Sequence, residues 1–374
     1  GGHCTRVPEI ALMLAEKAHE LDTPPFNDFH MENEEQWREF KIGAWLHDCG
    51  KVVTPEYVVD KATKLETINN RIDEIRTRFE VIWRDIEIAS LNRQINGDNV
   101  EEIKTWLEQE RQKLLEDFKF IADCNIGGEF LSDDKQQRLK EIAERRWMRH
   151  FNDRLGLSED ELERFGEMPE AALPVEEKLL DDKPHHIIPR VDFDEESYKA
   201  QGFKLDVPEH LYNRGELYNL SVSRGTLTNE ERFKINEHII MTIRMLEQLP
   251  LPDHLKRVPE YAGTHHETLI GTGYPRKLTK DELSLHARIM VLADIFEALT
   301  ACDRPYKKAK KLSESIKIMG FMCQDAHIDA DVFKLFLKSG VYLEYAHKFM
   351  KPEQIDEVDI EQYMNCEKKD VIDK

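Results

Sequence analysis

Apolar residues recur at spacings of three and four along most of the chain and almost nowhere alternate with polar ones. That is the period of a helix with one buried face, so helices packed on helices are expected and sheet is not. Ile10, Leu12, Met13, Leu14, Ala18 and Leu21 mark a helix over 9–21. Trp37, Phe40, Ile42, Ala44, Trp45 and Leu46 mark a second that ends at Gly50. The pattern returns over 229–249, 262–266, 286–301, 313–322 and 331–350. The fold class expected is all-α.

Between these stretches lies a segment of different character. Ile68, Ile72, Ile75, Phe79, Ile82, Ile86 and Leu91 repeat between charges, a Gly97-Asp98-Asn99 turn follows, and Val100, Ile103, Leu107, Leu114, Phe118 and Ile121 repeat again. Two long helices joined by a turn predict an antiparallel hairpin over 68–95 and 100–121, standing in solvent on its charged faces. Its stripes either bury each other in a structural arm or form a surface for a partner or a second subunit. Residues 126–200 are acidic and broken by Pro169, Pro174, Pro184 and Pro189, with one helix expected over 135–150 and His185-His186 as an exposed loop pair.

The charge balance narrows the function. A net charge of −21 argues against a duplex nucleic-acid binder, which needs a basic footprint. No apolar run approaches the roughly 18 residues of a membrane helix. The six Cys form no CxxC pair, which suits a reducing compartment, and a cytoplasmic location is expected. The first helix begins almost at residue 1, so the chain reads as a fragment of a longer protein.

His pairs carry the chemistry. In His47-Asp48-Cys49-Gly50-Lys51, adjacent imidazole and carboxylate at a helix end offer N and O donors from nearly one point, which suits a divalent cation. Alone, such a pair is more often a capping Asp beside a packed His than a metal site. Lys51 can project toward an anion held there. His265-His266-Glu267 precedes Gly271-Thr272-Gly273-Tyr274-Pro275, a loop whose glycines allow close backbone approach. Glu267 reads either as the partner of a ligating imidazole or as a solvated helix-end carboxylate. Asp294 sits in the apolar run Ile289–Phe296, where a carboxylate needs coordination or a partner such as Arg288 or Arg304.

In order along the chain, His3-x-x-Arg6, His47-Asp48-x-Gly50-Lys51, His238, His265-His266-Glu267, Gly271-x-Gly273-Tyr274-Pro275, Asp294 and Arg304-Pro305-Tyr306-Lys307 resemble the HD-GYP family. This is a branch of the HD phosphohydrolases whose members hydrolyse cyclic dinucleotides, chiefly cyclic di-GMP. The resemblance covers about residues 1–67 and 226–350. It implies a helical bundle of HD type, interrupted over 68–225 by the helical insertion and completed by 226–374. It also implies that His3, His47, Asp48 and Asp294 hold one metal and His238, His265 and His266 a second, with Asp48 bridging. Asp48 and Lys51 would be catalytic, and Lys51, Gly273, Tyr274, Arg304 and Lys307 would face the substrate.

A set of N and O donors without thiolate favours two iron or manganese ions over a structural zinc. The activity implied is metal-assisted phosphodiester hydrolysis. A preference for a cyclic GMP-AMP and a degenerate binding module are the alternatives. The family also implies an upstream sensor domain, and the insertion a homodimer arm or a gate.

Three features depart from the family pattern, one being the 190 residues between Asp48 and His238, an excess that the insertion explains. Ile270 stands where Asp is usual, and the position that would supply a Glu for a third metal falls before residue 1. No ligand candidate lies in 68–225, so replacing it by a linker is expected to leave metal binding intact.

Overall fold

The computed structural model describes residues 2–128, 130–191, 193–301 and 310–366. In chain order its main helices are α1 (Gly2–His19), α2 (Glu34–Leu46), α3 (Ile72–Ile95), α4 (Val100–Ile126), α5 (Asp133–Ala143), α6 (Asn229–Glu247), α7 (Leu285–Thr300), α8 (Leu312–Gln324), α9 (Ala330–Lys338) and α10 (Val341–Phe349). None of the described helices is long and apolar enough to cross a membrane. Packing divides the chain into two compact units: Gly1–Thr54 with Asp194–Asp206 and Ile235–Lys374, and Pro55–Phe193 with Val207–Lys234.

In the first unit α7 is buried almost all round, through Ala287, Ile289, Met290, Leu292, Ala293 and Phe296, which makes it the central helix. The stripe of α1 packs on it with Val7, Ile10, Ala11, Leu14 and Ala18, and α8–α10 close the cluster with Ile316, Phe333, Phe336 and Tyr345. Each Val, Leu, Ile, Phe or Met among them contributes roughly 1.5–3 kcal/mol by leaving water. At the start of α2, Asn33 accepts from the Gln36 amide at 3.0 Å, and Glu34 and Glu35 oppose the helix dipole. The helix expected over 331–350 is two, α9 and α10, parted at Ser339-Gly340.

In the second unit α3 and α4 run antiparallel, with Phe79 beside Phe118, Arg111 over Trp83 and Arg93 over Trp106. They are not a free arm. Ile72, Ile75, Ile82, Leu114 and Ile121 join Leu131, Leu139, Ile142, Leu179, Leu180 and Leu220 in a core of their own, while Ile88, Leu91, Ile95, Val100, Leu115 and Ile126 lie exposed. The helix expected over 135–150 stops at Ala143. Arg146–Arg149 forms strand β1, antiparallel to β2 (Val175–Lys178), and β3 (Ile187–Pro189) pairs with β4 (His210–Asn213). Strands this short carry too little alternation to be seen in the sequence.

The packing boundaries also fall elsewhere than at 67 and 226. Residues 55–67 belong to the second unit: the Lys64 and Leu65 amides donate to Asn125, and Lys61 is buried against Glu231 at 2.7 Å.

Candidate metal centre

Local structure delivers each donor to one place in the first unit. His47 caps α2, and the chain then tightens into a single turn at Cys49–Val53. The Gly50 amide donates to Thr242 Oγ1 at 2.9 Å, and that hydroxyl donates to the His47 carbonyl at 3.3 Å. A Cβ on Gly50 would stand 2.0 Å from the His238 carbonyl oxygen and 2.5 Å from the Thr242 nitrogen. Only glycine lets the His-Asp turn lie flat on the helix that bears His238. His265 and His266 do not lie in a helix over 262–266; they follow the short helix Val258–Gly263, where the chain is free to aim both rings inward.

Two groups form: His3, His47 and Asp48, and His238, His265 and His266, the donor atoms of each group lying within 4.8 Å of one another. Asp48 spans them. Its Oδ2 lies 3.1 Å from His3 Nε2 and 3.4 Å from His47 Nε2, and its Oδ1 3.4 Å from His238 Nε2 and 3.8 Å from His265 Nε2. Asp294 Oδ1 joins the first group, 3.2 Å from His3 and 3.8 Å from His47. Arg288 does not pair with Asp294; it takes Asp329 at 2.9 Å.

Asp48 Oδ1, His238 Nε2 and His265 Nε2 are buried with no hydrogen-bond partner. Three convergent orphans are expensive unless something answers them, and a divalent cation does. N and O donors without thiolate fit such a cation.

The far side of each ring is tied down. Nδ1 of His47, His238 and His265 donates to the carbonyl three residues back, of Ala44 at 2.7 Å, Ile235 at 2.5 Å and Ala262 at 2.8 Å. That fixes the tautomer and leaves the Nε2 lone pair facing the centre. Burial holds His47, His265 and His266 below the ordinary histidine range, so these rings stay neutral.

His3 differs. Burial opposes its charge, but hydrogen bonds to Asp294, Asp48 and Glu297 outweigh that and push it up to about 11. The same carboxylates are what draws a cation. Glu297 is a residue the sequence reading missed: one oxygen pairs with His3 Nδ1, and the other takes Arg6 Nε at 2.7 Å. The signal was present, since Glu297 follows Asp294 by three residues on one face of α7, and Arg6 follows His3 by three on α1.

Glu267 is neither an imidazole partner nor solvated. Fully buried, it accepts from the Arg276 amide at 2.7 Å and the Leu278 amide at 2.9 Å, and so folds the loop after it. Gly273 is buried too. The space a side chain would need there is filled by the backbone of Glu267 and Thr268, both at 2.5 Å, so the chain itself makes the close approach expected of a ligand. Tyr274 stacks on His266, ring centroids 4.8 Å apart, and burial raises its phenol well above the ordinary range.

Lys51 Nζ sits 2.5 Å from Asp48 Oδ2, and its side chain is partly exposed. Ile270 lies exposed at the loop edge. Arg304 and Lys307 fall outside the described residues. His185 and His186 belong to the second unit and join neither group; His185 stacks on Phe165 at 4.1 Å and His186 accepts from the Lys183 amide, so both are half-buried and not a loop pair in solvent.

The HD domain family matches residues 174–332 of the chain. The 3'3'-cGAMP-specific phosphodiesterase 3 of Vibrio cholerae is 38% identical over 115 residues, covering 31% of this chain and 24% of that protein. A cyclic di-GMP phosphodiesterase of Pseudomonas aeruginosa is 34% identical over 140 residues, 37% of this chain and 30% of that protein. The 3'3'-cGAMP-specific phosphodiesterase 1 of V. cholerae is 40% identical over 152 residues, 38% of this chain and 34% of that protein. The chain thus spans about a quarter to a third of the length of these relatives.

Proposed function

We propose that the chain carries an HD domain of the HD-GYP type and is a metal-dependent phosphodiesterase acting on a cyclic dinucleotide, cyclic di-GMP foremost. The observation that carries this reading is the convergence of Asp48 Oδ1, His238 Nε2 and His265 Nε2, buried and unpartnered, between two groups of donors. His3, His47, Asp48 and Asp294 would hold one divalent ion and His238, His265 and His266 a second, with Asp48 shared; iron and manganese suit these donors. Such ions supply positive charge at a phosphoryl oxygen and make water a nucleophile at neutral pH.

The chain's own groups do the rest. Asp48 presents one oxygen to each group of histidines and so fixes their separation. Lys51, with its ammonium at Asp48 and its stem partly in solvent, is free to turn to a phosphoryl oxygen as charge develops there. Tyr274 keeps its proton at neutral pH and is therefore a donor toward the same oxygens. Arg304 and Lys307 are assigned to the substrate and its phosphates on the resemblance alone. Local cations answer the objection that the whole chain carries −21.

The test is metal quantification with turnover of cyclic di-GMP and of 3'3'-cGAMP, both of which name relatives of this chain. Asp48→Ala should lose turnover and at least one metal while keeping its helical content. Near-normal activity and metal content in that variant would overturn the assignment. A metal-loaded wild type that binds either nucleotide without cleaving it would point to a receptor.

A further inference from the structure

Residues Asp194–Asp206 lie inside the insertion, yet they pack in the same compact unit as the metal centre. Their fold is local. Asp194 caps the short helix Glu195–Ala200 by accepting from the Ser197 amide at 2.9 Å, and the chain then doubles back so that the Phe203 amide donates to the Tyr198 carbonyl at 3.3 Å. Tyr198 and Phe203 are buried, with ring centroids 5.4 Å apart, and the Tyr198 hydroxyl donates to the Leu205 carbonyl at 2.8 Å.

This small knot grips the loop that carries Tyr274. Phe203 lies under two guanidiniums, Arg276 of the loop at 5.4 Å and Arg244 of α6 at 5.6 Å. Gln201 touches both: its side-chain oxygen accepts from Arg244 Nε at 2.9 Å and its carbonyl from Arg276 Nε at 3.2 Å. The Lys204 amide donates to the Pro275 carbonyl at 2.7 Å. With Glu267 holding the Arg276 amide from the inside, residues 275 and 276 are clamped from two sides. Tyr274 is the next residue, and its ring rests on His266.

We propose that this strap, with Phe203 and Gln201 as its positioning residues, holds Pro275 and Arg276 so that Tyr274 stays on His266 and faces the substrate. The proposal rests on the phosphodiesterase reading for its kinetic arm only. A guanidinium on a ring face is a directional contact, so bulk alone does not replace it. The strap touches no proposed metal ligand, so its loss should loosen the loop without emptying the site.

The test uses point variants of the full chain, because replacing 68–225 wholesale would remove the strap with everything else. Metal-loaded Phe203→Ala and Arg276→Ala, the second removing the guanidinium that both Phe203 and the Gln201 carbonyl hold, are followed by hydrogen exchange over 270–279, by metal content and by kinetics on cyclic di-GMP. Expected are about tenfold faster exchange of the amides of Tyr274, Arg276, Lys277 and Leu278 with α7 unchanged, unaltered metal content, and a KM raised about tenfold with kcat within about threefold. Phe203→Tyr should behave as wild type, and Phe203→Leu, which keeps bulk but no ring, as Phe203→Ala. Unchanged loop exchange in both alanine variants would overturn the proposal, as would rescue by Leu. If Phe203→Ala fails to fold, Arg276→Ala decides. If the wild type turns over no cyclic dinucleotide, exchange still judges the strap and only the proposed activity fails.

Discussion

Replacing Glu297 by Gln keeps the shape of the side chain and removes its charge, at a position that touches no proposed metal. Its two oxygens are fully used: one pairs with His3 Nδ1, the other takes Arg6 Nε at 2.7 Å and Nη2 at 2.6 Å, and the side chain is 1% exposed. The amide retains one acceptor, so Arg6 or His3 loses a charged partner in a buried setting. A hydrogen bond to a charged group contributes about 1.5–3 kcal/mol. If His3 is a ligand, most of that loss reaches metal affinity, because Glu297 sets the ring's orientation and its basicity. Outer carboxylates of this kind typically change affinity 10–100-fold, or roughly 1.4–2.7 kcal/mol. The assay is titration of metal-stripped protein with Mn²⁺ by calorimetry, beside Asp294→Asn as a direct-ligand control. Expected is a 10–100-fold weaker site for Glu297→Gln with unfolding cooperativity preserved. Affinity within twofold of wild type, while Asp294→Asn loses the site, would show that His3 needs no orienting partner and refute the reasoning.

Gly50→Ala forces a methyl to 2.0 Å from the His238 carbonyl, so the turn must leave α6; urea unfolding should show about 3 kcal/mol or more lost, together with metal. A loss under about 1 kcal/mol would mean the turn has room. His286, packed among Phe29, Phe40 and Tyr261, is lowered by burial to about 4. The unfolded chain therefore takes up its proton between pH 6.5 and 4 while the folded chain does not, and stability falls as pH falls through that window by roughly 3 kcal/mol. His286→Gln should flatten the slope between pH 6.5 and 4 relative to wild type; parallel slopes would count against it. In the second unit Arg78 binds the buried Glu216 through two nitrogens at 2.8 and 2.9 Å, and Arg78→Ala should cost about 3–5 kcal/mol in denaturant by stranding that carboxylate. A change below about 1 kcal/mol would show that water reaches Glu216.

The periodicity of α1, α3 and α4 is legible because each buries one stripe, and α7 because it is apolar nearly all round; both are local properties of the sequence. The donors are legible for a different reason. An aspartate amid Ile289, Met290, Leu292 and Phe296 is costly wherever it lies, whereas a histidine beside an aspartate at a helix end is ordinary alone and is flagged by its order among the other motifs. Glu297, Glu267 and Gln201 escape that test, since carboxylates and amides are ordinary on a helix or loop of a chain this charged. What makes each special is a partner 294, 9 or 43 residues away in sequence.

By itself, then, the sequence determined that the chain is helical and which side chains are too costly to bury unanswered. The tertiary structure alone decided that α3 and α4 share a core with residues 131–220, that Asp194–Asp206 returns to the unit of the metal centre, and that Gly50 admits α6. Those outcomes depend on which surfaces meet. Burial cost attaches to a single residue and can be read from its type, whereas contact is a property of two distant segments and exists only once the chain has closed on itself.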